Sequence, residues 1–125
     1  MRRRSRRSWR AKLGEAFRGV KLGVRRESNF FVHIFVGALV VVSAVVLRCG
    51  LTEWCLLLGC IGVVLVAELF NSSIETLFHA LDPGTQGRMI GCLDIAAGAV
   101  LVASMVAAVV GVLIFGNRLF DIVSH

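Results

Sequence analysis

The sequence lacks the short motifs that mark many soluble enzyme sites. It has no glycine-rich phosphate loop closed by lysine, no H-E-x-x-H helix, no G-x-S-x-G turn and no C-x-x-C pair. Those routes to phosphate, zinc and acyl chemistry are therefore excluded. The cysteines, Cys49, Cys55, Cys60 and Cys92, have no metal-ligand spacing and read as small apolar packing residues. There is no internal repeat. Above all, little amphipathic sequence is left to cover the apolar blocks, which argues against three buried helices of a soluble protein.

What is present is apolar. Of 125 residues, 57% are hydrophobic, against about 45–50% in soluble domains. They fall into blocks. Phe30 to Leu47 holds only His33 and Ser43 as polar side chains. Thr52 to Phe70 holds Glu53 and Glu68, and Met89 to Phe115 holds Asp94 and Ser104. A helical span needs roughly 20 mainly apolar residues at about 1.5 Å each. The pattern predicts spans at about 30–48, 53–72 and 90–115, with tilt absorbing the excess length of the last. The first apolar run starts at residue 30, has no clear cleavage site and is followed by further spans, which argues against a secretory signal.

Net charge is +6, and 11 of the 14 Lys and Arg precede residue 27. This positive-inside pattern predicts a multi-pass protein of the cytoplasmic (inner) membrane, N-terminus in the cytoplasm and C-terminus outside. A basic arm joined to a span meets anionic lipid headgroups more simply than nucleic acid, and no nucleic-acid partner is expected. Residues 1–8 read as a disordered basic arm. From 9 to 26 a helix is predicted, with Ser8 as cap. Trp9, Leu13, Phe17, Val20 and Val24 form one face and Lys12, Glu15, Arg18, Lys21 and Arg25 the other, which suits the membrane interface. Residues 27–125 form the membrane domain. Asp82-Pro83-Gly84, with the single proline, is the turn that stops a helix running on from the second span. Small residues, among them Gly98, Ser104 and Gly111, suit close packing in lipid.

Ionisable residues inside spans are expensive and so are functional candidates. Glu68 and Asp94 both lie toward the cytoplasmic ends of their spans. Glu68, Asn71 and Glu75 recur at i, i+3 and i+7, one helical face. With Glu27 at the same level, Glu75 could share a hard cation such as Mg²⁺, and a desolvated Glu68 could act as a base. The same spacing also fits a polar seam that glues helices together. Spacing alone leaves the two readings open.

The segment AELFNSSIETLF, residues 67–78, resembles the signature of the small prokaryotic lipid kinases, the diacylglycerol kinase and undecaprenol kinase family: roughly E-x-x-N-(S/T)-A-I-E-x-x-x-D. Glu68, Asn71, Ser72, Ile74 and Glu75 match it. Residues 16–33 resemble the family's surface helix and first glutamate, and LDIAAGAVLVAS, residues 93–104, its third-span motif. The resemblance covers about residues 12–116. It implies a homotrimer of three-span subunits that transfers the γ-phosphate of ATP to a lipid hydroxyl. By matching position, Glu68 would be the general base and Asn71 would orient the reacting groups. Glu27 and Glu75 would hold Mg²⁺, and Asp94 would contact nucleotide. Ser73 stands where alanine is usual, and two further departures matter. Leu93 replaces the lysine before Asp94, and His79 replaces the closing aspartate, although its ring could still donate to phosphate. A lost cation at the transferring phosphate predicts a slowed reaction.

The expectation is thus an all-α membrane protein, an N-terminal amphipathic surface helix plus three transmembrane helices. It would phosphorylate diacylglycerol or undecaprenol with ATP and Mg²⁺. The alternative is a non-enzymatic membrane subunit or lipid-binding protein that keeps this fold, alone or in a larger membrane complex. A transporter or channel has little support, since no pair of broken helices appears.

Overall fold

The computed structural model describes residues 8–26 and 28–124. Four helices follow one another: α1 (Trp9–Arg26), α2 (Ser28–Val46), α3 (Leu51–His79) and α4 (Pro83–Ser124). The chain is an all-α, membrane-associated protein. Among the described residues, α3 and α4 are long and apolar enough to cross a membrane, and Phe30–Val46 of α2 is a shorter apolar helix. The basic arm before Ser8 and the side chain of Glu27 lie outside the described residues.

α1 starts where the cap chemistry places it. Ser8 Oγ accepts from the Ala11 N–H at 3.3 Å, which satisfies one of the free amides of the first turn. Its apolar residues Trp9, Leu13, Phe17 and Val20 are all exposed, and Lys12 Nζ lies 5.5 Å above the Trp9 ring. An uncovered apolar stripe beside a basic face fits a helix lying in a headgroup layer.

The turn between α2 and α3 is a paired C-terminal cap. Cys49 N–H bonds to Ala44 O at 3.0 Å and Arg48 N–H to Val45 O at 3.2 Å, the two bonds of a Schellman motif. That motif needs a left-handed residue, and Arg48 supplies it at φ 54° although glycine is the usual choice. Arg118 of α4 then donates from Nε to Leu47 O at 3.1 Å and from Nη2 to Arg48 O. A cation thus meets the free carbonyls of a helix C-terminus and ties the end of α4 to the turn. Glu53 Oε1 accepts from Gly50 N–H at 2.9 Å and starts α3. At this end Ala44, Leu57 and Ile114 form a small buried cluster. Lipid tails are as apolar as these side chains, so close packing contacts, rather than transfer from water, hold it together.

At the other end, the sequence turn at Asp82 is a helix start as well as a stop. Asp82 Oδ1 accepts from Thr85 Oγ1 at 2.7 Å and Oδ2 from Thr85 N–H at 3.2 Å, with Pro83 as the first helical residue. Gln86 Nε2 reaches back to Phe78 O at 3.1 Å, closing the α3–α4 hairpin. Both helices therefore outrun their apolar blocks: α3 continues to His79, and α4 begins six residues before Met89. α3 and α4 make the most extensive contact, and α1 touches α2 and α3.

The hydrogen bonds from Thr85 pull the Asp82 carboxyl below its ordinary range. A depressed carboxyl contributes stability above its unfolded pKa, and that contribution fades as pH falls through the lower folded value. The first turn of α4 should therefore loosen below about pH 4. Amide hydrogen exchange of a peptide covering residues 83–87, corrected for intrinsic rates, checks this. D82N, uncharged like the protonated acid and with a single acceptor oxygen, should show the loosened turn at every pH and remove the acid response. D82A should open the turn at neutral pH as well.

Candidate functional site

α3 carries four polar residues on one face, Glu68, Asn71, Ser72 and Glu75, and the fold shelters them. Glu68 is 2% exposed, Asn71 and Ser72 are also buried, and Glu75 is half-buried. Burial follows from the hairpin, because α3 is the helix that both α2 and α4 contact. Glu68 and Asp94 each lie eleven residues from the α3–α4 turn, counted from His79 and from Pro83. That is about 16 Å along each helix.

Asn71 Nδ2 donates to Glu75 Oε1 at 3.3 Å. His33 of α2 sits across from Glu68, Nε2 to Oε2 at 3.4 Å. Glu68 Oε1 and Asn71 Oδ1 are buried and have no hydrogen-bond partner. These residues, with Val32, Ala97 and Val100, line a cavity of about 270 Å³. Buried oxygens without partners are uncommon in folded proteins and call for an explanation. Here they face a space that a polar ligand can enter.

A second, larger cavity of about 700 Å³ runs between α2, α3 and α4. Val36, Val40, Ile61, Leu65, Ala107 and Gly111 are among its walls, so it is almost wholly apolar. Val32 and His33 line both cavities, so a hydrocarbon groove adjoins a carboxylate site.

The other residues singled out from sequence lie apart. Asp94 is exposed, and α4 presents Ala97 and Val100 to the cavity instead. Asp94 and Glu68 are level along the hairpin without sharing that space. His79, the last residue of α3, is exposed and stands edge-on to Phe78 at 5.9 Å. Leu93 is half-buried. Glu27 lies outside the described residues. Among the described residues, no three His, Cys, Asp or Glu side chains gather as a metal site. Sequence reasoning passed over His33 as a site residue. The signal was there, since it is the one ionisable side chain in its apolar block and such residues are functional candidates by default.

A sheltered carboxylate beside an apolar groove, in an all-helical membrane-associated chain, suits chemistry on a membrane lipid. The chain is a member of the prokaryotic diacylglycerol kinase family, whose family model matches residues 14–115. This is a family of membrane lipid kinases, as its sequence resemblance implied. An undecaprenol kinase of Bacillus subtilis (strain 168) is 29% identical over 104 residues, which cover 83% of this chain and 85% of that protein. No solved structure gives a significant match.

Proposed function

We propose that the protein phosphorylates the hydroxyl of a membrane lipid with ATP, at the cytoplasmic face of the membrane. The observation that carries this reading is the buried Glu68 carboxylate, with its unpartnered Oε1 facing the cavity. In this reading Glu68 takes the proton of the attacking hydroxyl. Asn71, with Oδ1 also unpartnered, orients that hydroxyl. The adjoining apolar groove suits the hydrocarbon part of diacylglycerol or undecaprenol, and its continuity with the polar cavity at His33 brings a headgroup beside Glu68.

The donor set fits a magnesium-bound nucleotide. Glu75 offers carboxylate oxygen, the hard ligand that Mg²⁺ prefers. Glu75 and Glu27 would hold the metal, and Asn71, His79 and Asp94 would face nucleotide. Bound Mg²⁺ supplies charge neutralisation at the phosphates. Exposed Asp94 and the nearly uncovered α4, where Ala96 and Ile114 are the buried residues, suit a homotrimer in which neighbouring copies complete the site. The basic residues before Ser8 and on α1 would hold anionic headgroups.

Three spans are proposed, with α2 as the first. The end of the bundle with the α3–α4 turn then faces the cytoplasm, and the Arg48 turn and the C-terminus lie outside. A tag after His125 should be reached by an impermeant label on intact cells. Labelling only after the cells are opened would reverse the orientation.

A second reading has its own observation: Leu93 and His79 stand where the family pattern carries a lysine and an aspartate. A member that has lost nucleotide contacts could serve as a non-enzymatic membrane subunit. Transfer of labelled γ-phosphate from ATP in lipid micelles, with diacylglycerol and undecaprenol in parallel, separates the two. We expect a labelled lipid. Absence of product with both lipids, in a protein that is folded and does not bind ATP, would favour the non-enzymatic subunit.

A further inference from the structure

His33 is the one described side chain from another helix that offers a hydrogen-bond donor to Glu68. The cavity walls are Val32, His33, Glu68, Asn71, Glu75, Ala97 and Val100. Valine and alanine have no side-chain donor, and the carboxylate of Glu75 is an acceptor when ionised. Asn71 lies on the same helix as Glu68, and the bond its amide makes goes to Glu75 Oε1. His33 Nε2 approaches a single oxygen, Oε2, at 3.4 Å, and the two side chains are 22% and 3% exposed. The other oxygen, Oε1, is left without a partner. The two oxygens of one carboxylate are thus differentiated by their surroundings.

We propose that His33 is a positioning residue for Glu68, an inference that rests on the lipid kinase reading above. The imidazole donates from Nε2 to Oε2 and holds the carboxylate plane, so that Oε1 is the oxygen presented to the lipid hydroxyl. The distance is longer than the roughly 2.7–2.9 Å of a tight charge-assisted bond, and catalytic hydrogen bonds commonly tighten only when substrate is bound. In the step it serves, the hydroxyl oxygen bonds to the γ-phosphorus of ATP and the bond from that phosphorus to ADP breaks. The hydroxyl proton ends on Glu68 Oε1. His33 keeps its own proton throughout. Its place at the seam of the two cavities puts this control where the lipid headgroup meets its tail.

Three replacements test the geometry. The side-chain amide nitrogen of glutamine can take the place of Nε2, whereas that of asparagine stands near the place of Nδ1 and falls short of Oε2. Leucine has no donor. In micelles, H33L and H33N should lower kcat about 10²-fold, the order lost when a reacting group shifts by about 1 Å, with little change in lipid KM. H33Q should recover most of the rate. A second readout needs no turnover: the infrared carboxylate stretch of Glu68, identified by its loss in E68Q. It should move in H33L and H33N and return in H33Q. A parent-like rate in H33L overturns the proposal, whether or not the band moves. So does an equal loss in H33Q and H33N. If the parent itself transfers no phosphate, the lipid kinase reading fails, and the infrared band then decides alone: a band that moves in H33N and returns in H33Q upholds the His33–Glu68 arrangement, and an unmoved band overturns it.

Discussion

Replacing Glu68 with glutamine is expected to lower the rate of phosphate transfer by about 10²–10⁴-fold, the usual contribution of a positioned general base. Glutamine keeps the shape of the side chain and most of its packing. What it loses is the lone pair able to accept and hold the hydroxyl proton. The loss should appear in kcat at saturating lipid and ATP, because the amide still fills the same 2%-exposed site. Misfolding is a poor explanation for such a loss, since a neutral amide is less costly to bury than a carboxylate. Thermal stability in micelles should therefore hold near that of the parent. A purified E68Q protein as active as its parent would remove Glu68 from the role of base.

The second large effect runs the other way. Leu93 to lysine is expected to raise the transfer rate, and H79D combined with L93K to raise it further. In phosphoryl transfer the protein acts mainly by positioning and by stabilising charge on the moving group. A single well-placed donor at such a centre contributes about 10²–10³-fold, and leucine contributes none. Leu93 lies beside Asp94, ten residues into α4, or about 15 Å from its start. A lysine there would keep its stem in apolar surroundings and extend its ammonium toward the interface. His79 is exposed at the end of α3, so an aspartate can replace it with little disturbance to packing. A gain of about 10²-fold in the double variant would mark the natural site as a weakened kinase site. High parent activity unchanged by L93K would mean that another group, such as Arg88 or His79, already meets the phosphate. If neither the parent nor either variant transfers phosphate or binds ATP, the chain is a non-enzymatic member of its family.

The parts of the fold legible in the sequence were those set by local chemistry. Ser8 could be read as a cap because a hydroxyl before an amphipathic run has one obvious task, and it bonds Ala11 N–H. The Asp82-Pro83 turn was legible as a break between helices for a similar reason. Its second task, starting α4 at Pro83, depends on Thr85 supplying both a hydroxyl and an amide to the same carboxylate. The helix ends were less legible. Apolar blocks mark where lipid would lie, whereas backbone hydrogen bonding carries α3 to His79 and α4 back to Pro83.

Composition, block length and motif spacing by themselves determined the helical, membrane-associated class, the family, and the shared face of Glu68, Asn71 and Glu75. Those properties follow from the helical repeat and from the cost of apolar groups in water, which act within a single segment. Tertiary structure alone decided what surrounds that face. It brought His33 from α2 to 3.4 Å from Glu68, although they are far apart in the chain. It left Asp94 exposed and set Ala97 and Val100 at the cavity. It also differentiated the two oxygens of one carboxylate. Helical periodicity gives the relative angle of residues on one helix, but the rotation of one helix against another is set by packing between them.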